Sequence, residues 1–560
     1  MKKFLISSSL ALFSIGVYAA DEPADIIFTN GEIYTPNGWV ESLAVREGII
    51  LAIGNNKEIA SYRGNNSKIL DLKGASVFPG LHDMHVHPTS AGVEQFTCSL
   101  PYRATPTEIL SQVSKCVQKA KPGEWIIGGN WSSSAFKPGQ QTREFLDKVS
   151  PNNPVLLADE AHHTQWANSK AIEAVGINKY TKDPVGGVIE RDKKGYPNGI
   201  FRENAALYID QRRPVTSDEL LRKGLELSTQ QMLSYGITSF TDAEVRMPEI
   251  RTLSALSKEG LIKQRVRACI VWSPLEGEQL ILKRNKYVTE RLKTDCVKIF
   301  VDGVPTEGMT AAMLQPYEGH KHNKGIFMMP LEVMDSGVAK YDRMGLTIKF
   351  HAIGDAAVKA SIDAVEKARK KNGWMGASHQ LGHGSFVTFK DIPRVRDLHM
   401  TWEFSPYAWY PNPIVDIDVR HNVGEKRMER AIPIREAVET GANVIAGSDW
   451  PVIPSVNPWP AIETMVTRQE PGGSYKKLAP AQQITLEQAL RIFTANAAAA
   501  MGNSDQIGSI EPGKRADIIV TESNPFKVPV TEIHKTKVIK TFIDGELVYD
   551  SANPSNSIAE

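Results

Sequence analysis

LTIKFHAIGDAAVKASIDAVEKARKK, residues 346–371, contains two patterns that follow one another without a break. The first half is apolar and β-branched as far as His351, which is typical of a buried strand. The second half spaces alanine, valine and isoleucine at helical intervals among lysines, which predicts an amphipathic helix. A strand followed by a helix is the repeating unit of a parallel sheet.

Similar strand-like runs recur along the chain, and most of them precede helical stretches. Including the one above they are ASVFPGLHDMHVHP, YGITSFTDA, RVRACIVW, CVKIFVDG, LTIKFHAIGD, SHQLGHGSF, HMTWEFSP and NVIAGSDWPV. Eight such units predict an α/β fold with a TIM-like (β/α)8 barrel over residues 77–504. The long stretch after the first run, about residues 90–232, is predicted to be an insertion over the C-terminal mouth, where such barrels place their active sites.

The two ends of the chain have a different pattern. Residues 21–76 and 505–560 contain short β-rich runs separated by turns such as Asn-Gly and Glu-Gly, which are typical of hairpins. Because isolated hairpins are marginally stable, we expect both ends to form one small β-sandwich domain.

Residues 1–20, MKKFLISSSLALFSIGVYAA, combine two lysines, an apolar run and small residues near the end. The apolar run is too short to span a bilayer, and the combination predicts a secretory signal peptide. We therefore expect a protein exported across the inner membrane to the periplasm, without a stable membrane anchor.

The composition indicates a globular protein with no strongly charged partner. Of 560 residues, 41% are hydrophobic and 23% charged, and the formal net charge is +1. This balance argues against nucleic-acid binding, so we expect a small-molecule substrate and leave the oligomeric state open, a homodimer included. Among the four cysteines, Cys98 and Cys116 could pair in an oxidising compartment, whereas Cys269 and Cys296 are expected to be buried thiols.

Ionisable residues stand at the ends of five predicted barrel strands, and the carboxyl ends of these strands meet at one rim. Residues two apart on a strand point the same way, so both histidines of HVH face the barrel axis. Four imidazoles and a carboxylate are a ligand set that zinc or a similar divalent ion accepts. The residues are His85, His87, Lys298, His351, His383 and Asp449, whereas the histidines expected to be ordinary core or surface groups are His82, His162, His320, His322 and His421.

Lys298 lies inside the apolar run CVKIFVDG. Burying an ammonium is costly, and metal cations beside it would repel it. Two interpretations remain open from the residues alone. Either carbon dioxide carboxylates the amine, which gives an anion able to bridge two metals, or the side chain points outward or pairs with Asp302.

The order H-x-H, Lys, His, His, Asp resembles the amidohydrolase superfamily, and more closely its YtcJ-like members, the amidohydrolase 3 family. The resemblance covers nearly the whole mature chain, and one departure stands out. The family usually carries Arg-x-Glu-His on its sixth strand, whereas HQLGH at 379–383 retains only the ligand position, His383. The matching stretches are FPGLHDMHVHP, GGNW, HTQWANSKAIEAVGI, GIFREN, VKIFVDG, FHAIGDAAV, GSDWPV and ITLEQALRIFTANAAAAMG followed by GSIEPGKRADIIV.

The resemblance implies a metal-dependent hydrolase that cleaves a C–N bond of the amide type through a metal-activated hydroxide. One or two divalent ions are implied, with zinc as the expected metal. His85, His87 and Asp449 would hold the first ion, and His351 and His383 the second, with N6-carboxylated Lys298 as the bridge. Asp449 would act as general base and then general acid, and it forms the expected catalytic pair with His383.

The resemblance also assigns substrate contacts to His163, Glu203 and Trp131, and Glu203 could instead support the metal ligands from behind. The alternatives are a histidine at a helix start, a solvated carboxylate and a core tryptophan, respectively. Two alternatives to the amidohydrolase activity also remain. One is a metallohydrolase acting on an ester, lactone or phosphoester, and the other is a non-catalytic regulatory protein on the same frame.

Overall fold

Parallel strands and helices alternate through most of the chain. The computed structural model describes residues 23–553 apart from residues 102, 138, 307 and 375. The predicted signal peptide, residues 1–20, lies outside the described residues. Within the described part, no helix combines the length and the apolarity needed to cross a bilayer.

The strands are β1 Ala24–Thr29, β2 Glu32–Thr35, β3 Gly38–Val40, β4 Ser42–Arg46, β5 Ile49–Gly54, β6 Arg63–Asp71, β7 Ser76–Pro79, β8 Leu81–Val86, β9 Cys98–Ser99, β10 Ile126–Trp131, β11 Val155–Asp159, β12 Thr164–Ala167, β13 Gly187–Arg191, β14 Pro197–Glu203, β15 Ile237–Val245, β16 Arg265–Val271, β17 Leu292–Phe300, β18 Thr347–Ala352, β19 Gln380–His383, β20 Thr401–Phe404, β21 Asn443–Ala446, β22 Ile518–Thr521, β23 Val538–Ile543 and β24 Glu546–Asp550.

The helices are α1 Asn56–Ile59, α2 Pro88–Glu94, α3 Pro106–Lys119, α4 Arg143–Asp147, α5 Ser169–Ala174, α6 Asn204–Asp210, α7 Asp218–Ser234, α8 Met247–Lys258, α9 Glu278–Lys283, α10 Leu331–Arg343, α11 Asp355–Asn372, α12 Ile392–Asp397, α13 Arg420–Val423, α14 Glu425–Met428, α15 Ile434–Glu439, α16 Pro458–Thr467, α17 Leu486–Phe493 and α18 Ala495–Ala500. A single π-helical turn, Ile414–Val419, precedes α13.

Eight parallel strands form the central sheet in the order β21-β20-β19-β18-β17-β16-β15-β8. Backbone hydrogen bonds link its two edges: Asp449 N–H donates to His85 O at 2.7 Å, and His87 N–H donates to Trp450 O at 2.9 Å. The predicted α/β class and TIM-like barrel are therefore confirmed. These bonds also bring the segment after β21 against the carboxyl end of β8, where the first two histidines stand.

Strands from both chain ends form two further sheets, in the orders β5-β4-β1-β6 and β24-β23-β22-β7-β2-β3. Their shared core contains Phe28 and Phe542, whose ring centroids lie 5.1 Å apart. One boundary differs from the expectation, because β7 pairs with β22 and β2 and not with the barrel. The barrel begins after Gly80, where a Cβ would lie 2.2 Å from the Thr238 hydroxyl oxygen.

The long insertion after β8 contains more sheet than its sequence suggested. Six of its strands form a mixed sheet in the order β13-β14-β12-β11-β10-β9. Apolar residues on the two faces of this sheet pack into separate cores, one against α3 and α4 and the other against α5 and α6. The insertion is thus stabilised by its own hydrophobic cores beside the barrel mouth.

Both cysteine pairs are joined as disulfides. Cys98 pairs with Cys116 within the insertion. The expectation that Cys269 and Cys296 are buried thiols is wrong, because these residues form the second disulfide. They occupy directly opposed positions on the neighbouring strands β16 and β17, with their Cα atoms 4.3 Å apart, so the register of the barrel brings them together.

Candidate metal centre and its cavity

The first cluster of ligand atoms is built by β8 and the segment after β21. His87 Nε2 lies 3.1 Å from Asp449 Oδ1, and His85 Nε2 lies 3.5 Å from the same oxygen. One ligand atom from each of these three residues falls within 4.8 Å of the others. Burial raises the pKa of Asp449, but His85 and then His87 hold that pKa well below its ordinary value. A carboxylate between two imidazoles fits a divalent cation.

His351 and His383 extend this cluster across the rim. Their ring centroids lie 4.5 Å apart, and His383 Nδ1 lies 3.9 Å from Asp449 Oδ2. Burial is the main cause that lowers the pKa of both imidazoles far below 6.5, so both rings are neutral. His351 Nδ1 and His383 Nε2 are buried without a hydrogen-bond partner in the described structure. Buried polar atoms are rarely left alone, and unpartnered imidazole nitrogens on one rim suit a metal site.

Lys298 is buried in β17 and turned into the barrel. Its Nζ lies 3.1 Å from His85 Nε2, and burial lowers its pKa to about 8. The alternative that it points outward or pairs with Asp302 is therefore wrong. The carboxylate of Asp302 is instead occupied by backbone N–H groups, including those of Gly354 at 2.9 Å and Ala312 at 2.8 Å.

Two residues that the sequence interpretation missed lie directly behind His85. Glu403, in β20, contacts His85 Nδ1 with one carboxylate oxygen and Lys349 Nζ with the other. Lys349 also donates to Met84 O at 2.9 Å. A signal was present, because Lys349 stands two residues before His351 in an apolar strand. Burial of the Lys349 ammonium is as costly as burial of the Lys298 ammonium, so both lysines need a partner or a modification.

The departure in HQLGH has a structural counterpart. Gly382 occupies the position before His383, and a Cβ there would lie 2.6 Å from Phe350 O and 3.4 Å from Glu403 Oε1. A larger side chain would therefore have to displace the neighbouring strand. His379 serves the interior instead, since its Nε2 lies 3.0 Å from Asp342 Oδ1 and its Nδ1 accepts the Ile348 N–H.

His163 and Glu203 come together although 40 positions separate them. His163 Nδ1 and Glu203 Oε2 are 2.6 Å apart, and the Thr310 hydroxyl donates to the other carboxylate oxygen. Burial opposes a charge on His163, but the Glu203 carboxylate outweighs it and raises the pKa of His163 to about 9. The His163 ring lies 4.9 Å from that of His351, so this pair borders the second cluster.

A cavity of about 640 Å³ connects these groups. All six residues of the predicted metal set line it, and so do His163 and Glu203. The π-helical turn and the segment before it supply an apolar wall that includes Trp409 and Val415. The insertion supplies Glu94, Glu160 and His162; His162, expected to be an ordinary group, lies with its Nε2 3.4 Å from Glu94 Oε1.

Trp131 lies elsewhere. Its side chain is 1% exposed and packs in the insertion core, with its ring centroid 5.6 Å from that of Trp166. Its indole N–H donates to Leu157 O at 3.0 Å. The interpretation of Trp131 as a pocket wall is corrected to that of a core residue, because β10 turns it away from the cavity lining.

The sequence profile of the Amidohydrolase family matches residues 68–549. The chain belongs to this family. Both the resemblance inferred from the motifs and the assignment to a superfamily of metal-dependent hydrolases are thereby confirmed.

Individual proteins match this chain along almost their entire length. Protein LONG AFTER FAR-RED 3 of Arabidopsis thaliana is 28% identical over 94% of this chain and 92% of its own. N-substituted formamide deformylase of Arthrobacter pascens is 28% identical over 94% and 98%, respectively. YtcJ of Bacillus subtilis (strain 168) is 26% identical over 94% and 99%. A metal-dependent hydrolase from Pyrococcus furiosus, known from its crystal structure, superposes with a TM-score of 0.69 at 25% identity, covering 90% of this chain and 100% of that chain.

Proposed function

We propose that the protein hydrolyses a C–N bond of the amide type in a small molecule, with a divalent metal held at the carboxyl end of the barrel. The observation that carries this proposal is the convergence of His85, His87 and Asp449 within 4.8 Å at one end of a cavity. The Arthrobacter pascens relative is named for acting on N-substituted formamides, which supports a C–N bond as the target.

Zinc is the metal we propose, because neutral imidazoles and a carboxylate are its usual ligands. His85, His87 and Asp449 would hold one ion, and His351 and His383 a second, with Lys298 between them in a carboxylated form. A bound divalent ion would polarise a carbonyl group and make water acidic enough to ionise near neutral pH.

Asp449 is suited to move the proton. Its Oδ1 lies beside His87 and its Oδ2 faces His383, so the carboxylate stands between the two imidazole clusters. We assign it as the general base that accepts a proton from the attacking water. It then returns that proton to the leaving nitrogen as a general acid, which an amine leaving group requires.

His163 is suited to hold the carbonyl oxygen of the substrate. Because Nδ1 donates to Glu203, the other ring nitrogen stays available at the cavity. A positively charged imidazole there stabilises negative charge that develops on oxygen during attack. We therefore assign Glu203 a role that acts through His163.

The decisive experiment measures metal content and turnover on the same purified protein. We expect elemental analysis to find one to two divalent ions per chain and N-substituted formamides to be hydrolysed. Asp449→Asn is expected to lower kcat by at least about 100-fold while circular dichroism stays unchanged. Absence of metal from both native and zinc-reconstituted protein would refute the proposal, and so would full activity of the variant.

Matched amide and ester analogues separate the alternative bond types. Cleavage of the ester alone, or of a lactone or phosphoester alone, would transfer the assignment to that class. A protein that binds zinc and turns over none of these substrates would instead support the regulatory alternative.

We also propose export to the periplasm. The two disulfides support it, because such bonds persist in oxidising compartments and are rare in a reducing cytosol. Cell fractionation with alkylation of free thiols tests this proposal. The mature chain should begin after the predicted signal peptide and carry no alkylated cysteine, whereas a reduced cytosolic chain would contradict export.

A further inference from the structure

Glu403 is buried between two partners that belong to different strands. It stands in β20, and it is 0% exposed, as is Lys349 in β18. Glu403 Oε1 contacts His85 Nδ1, and Oε2 contacts Lys349 Nζ. Lys349 is itself held by Met84 O at 2.9 Å, so three barrel strands fix the position of one carboxylate.

The contact with Glu403 decides which nitrogen of His85 carries the hydrogen. A neutral imidazole has one N–H, and a carboxylate oxygen can only accept. His85 Nδ1 therefore donates to Glu403, which leaves the lone pair on Nε2. That nitrogen lies 3.5 Å from Asp449 Oδ1 and 3.1 Å from Lys298 Nζ, inside the proposed metal site.

Lys349 neutralises the charge of Glu403 and holds its carboxylate in place. An unpaired carboxylate in the barrel interior would be costly, and the ammonium of Lys349 provides its counter-charge. It also holds the second oxygen, so the carboxylate cannot rotate away from His85. In the described structure Lys349 donates hydrogen bonds to Glu403 and to Met84 O, the carbonyl directly before His85, so it supports His85 indirectly.

We propose that Glu403 and Lys349 are positioning residues, which hold His85 in the tautomer that presents Nε2 to the metal. The inference rests on the metal site proposed above. A carboxylate that accepts the second N–H of a ligating histidine orients the ring and raises its basicity. Loss of such a partner typically weakens metal binding about 10- to 100-fold, so affinity should respond before the fold does.

The test measures the Kd for Zn²⁺ by competition with a chromophoric chelator, starting from chelator-treated full-length mature protein. Glu403→Gln keeps the shape but removes the charge, and we expect its Kd to rise about 10- to 100-fold. ¹⁵N chemical shifts of the ring of His85 in the metal-free protein should show a mixture of tautomers in place of one.

Glu463→Gln is the matched control. Glu463 is equally buried, does not line the cavity, and accepts hydrogen bonds from Gly472 N–H, His534 N–H and His534 Nδ1. It should lower stability without changing the Kd for Zn²⁺. A general loss of packing would weaken both variants alike and would overturn the proposal.

Two further results complete the test. If Glu403→Gln does not fold, Glu403→Asp keeps the charge and withdraws the oxygen from His85, and the same rise in Kd is expected. An unchanged Kd in the folded variant refutes the positioning role, with the metal site intact. Failure of the wild-type protein to bind Zn²⁺ at all refutes the proposed function itself.

Discussion

Glu203→Gln offers the sharpest test of the cavity's electrostatics. The substitution keeps the length and shape of a side chain that is 2% exposed, but it removes the charge that faces His163 at 2.6 Å. In the wild-type protein the pKa of His163 is raised from 6.5 to about 9. Each pKa unit corresponds to about 1.4 kcal/mol, so the raised pKa represents about 3 kcal/mol of interaction.

Because the pKa of His163 is raised in the folded protein, the stability of the protein should fall as the pH rises. A histidine whose pKa rises on folding adds stability that is fully present below about pH 6.5 and is lost as the pH rises through about 9. Between about pH 6.5 and pH 9 we expect the free energy of unfolding of the wild-type protein to fall by about 3 kcal/mol because His163 loses its proton. In Glu203→Gln the fall should be far smaller.

The direct assay is a ¹³C NMR titration of the histidine rings in chelator-treated protein, with His163→Gln used for assignment. In Glu203→Gln the pKa of His163 should fall well below 9 towards 6.5, because burial is then opposed only by the more weakly acting carboxylates of Asp159 and Glu244. Thr310→Val removes the hydroxyl donor on the other carboxylate oxygen, together with the acceptor of the Val304 N–H, and should leave the His163 pKa high because the Glu203 charge remains. If His163 titrates near 9 in Glu203→Gln as well, the electrostatic argument fails.

Three further outcomes are expected, two from residues of the insertion and one from Lys298. Trp131→Phe should lower the free energy of unfolding by about 2 kcal/mol, because packing and one hydrogen bond are lost. It should change kcat/KM by no more than about twofold. A large change in KM would contradict the assignment of Trp131 to the core and indicate a substrate contact. Replacing Cys98 and Cys116 together by serine should destabilise the insertion by about 3 kcal/mol, because the disulfide closes a loop of 18 positions in the unfolded chain. A reductant should then cause no further loss of stability through this pair. After correction for the lysine-to-methionine difference and for bound zinc, the native mass of the wild-type protein in bicarbonate should exceed that of Lys298→Met by one carbon dioxide, and acidification should remove the excess.

Much of the barrel and its rim could be predicted because the information is local. Strand parity places His85 and His87 on one side of β8, and apolar runs mark where β17 and β18 lie. The same local reasoning applied to LTIKFHA would have found Lys349 as well as His351. An unmodified lysine is not a metal ligand, so the pattern of metal-binding side chains alone does not include Lys349.

Other features depend on strand register, which a single sequence does not specify. Cys269 and Cys296 pair because β16 and β17 place them opposite each other, and nothing within either strand indicates that offset. Glu203 meets His163 through the pairing of β12 with β14, which sets Thr164 against Arg202 beside them. Sequence alone can name such residues as candidates, but their partners follow only from the assembled sheet.

The sequence GSD, residues 447–449, commonly marks only a turn, but here it closes the barrel against β8. A Cβ on Gly447 would lie 2.3 Å from the backbone nitrogen of His85, so only glycine lets this segment lie against β8. Ser448 N–H then donates to Asp83 Oδ1, which also accepts the His85 N–H. Asp449 follows with φ of 61°, a strained conformation for a non-glycine residue, and its N–H donates to His85 O.

These contacts explain why the strain is tolerated. The hydrogen bonds to Asp83 and to His85 O fix the backbone on both sides of the turn, so Asp449 cannot relax without opening the last seam of the barrel. His383, across the site, also has a positive φ, of 69°. Strained residues of this kind cost about 1–3 kcal/mol each and persist where the surrounding structure over-determines them. The same hydrogen bonds therefore close the barrel and place the Asp449 carboxylate, so the group to which we assign proton transfer is fixed together with the barrel.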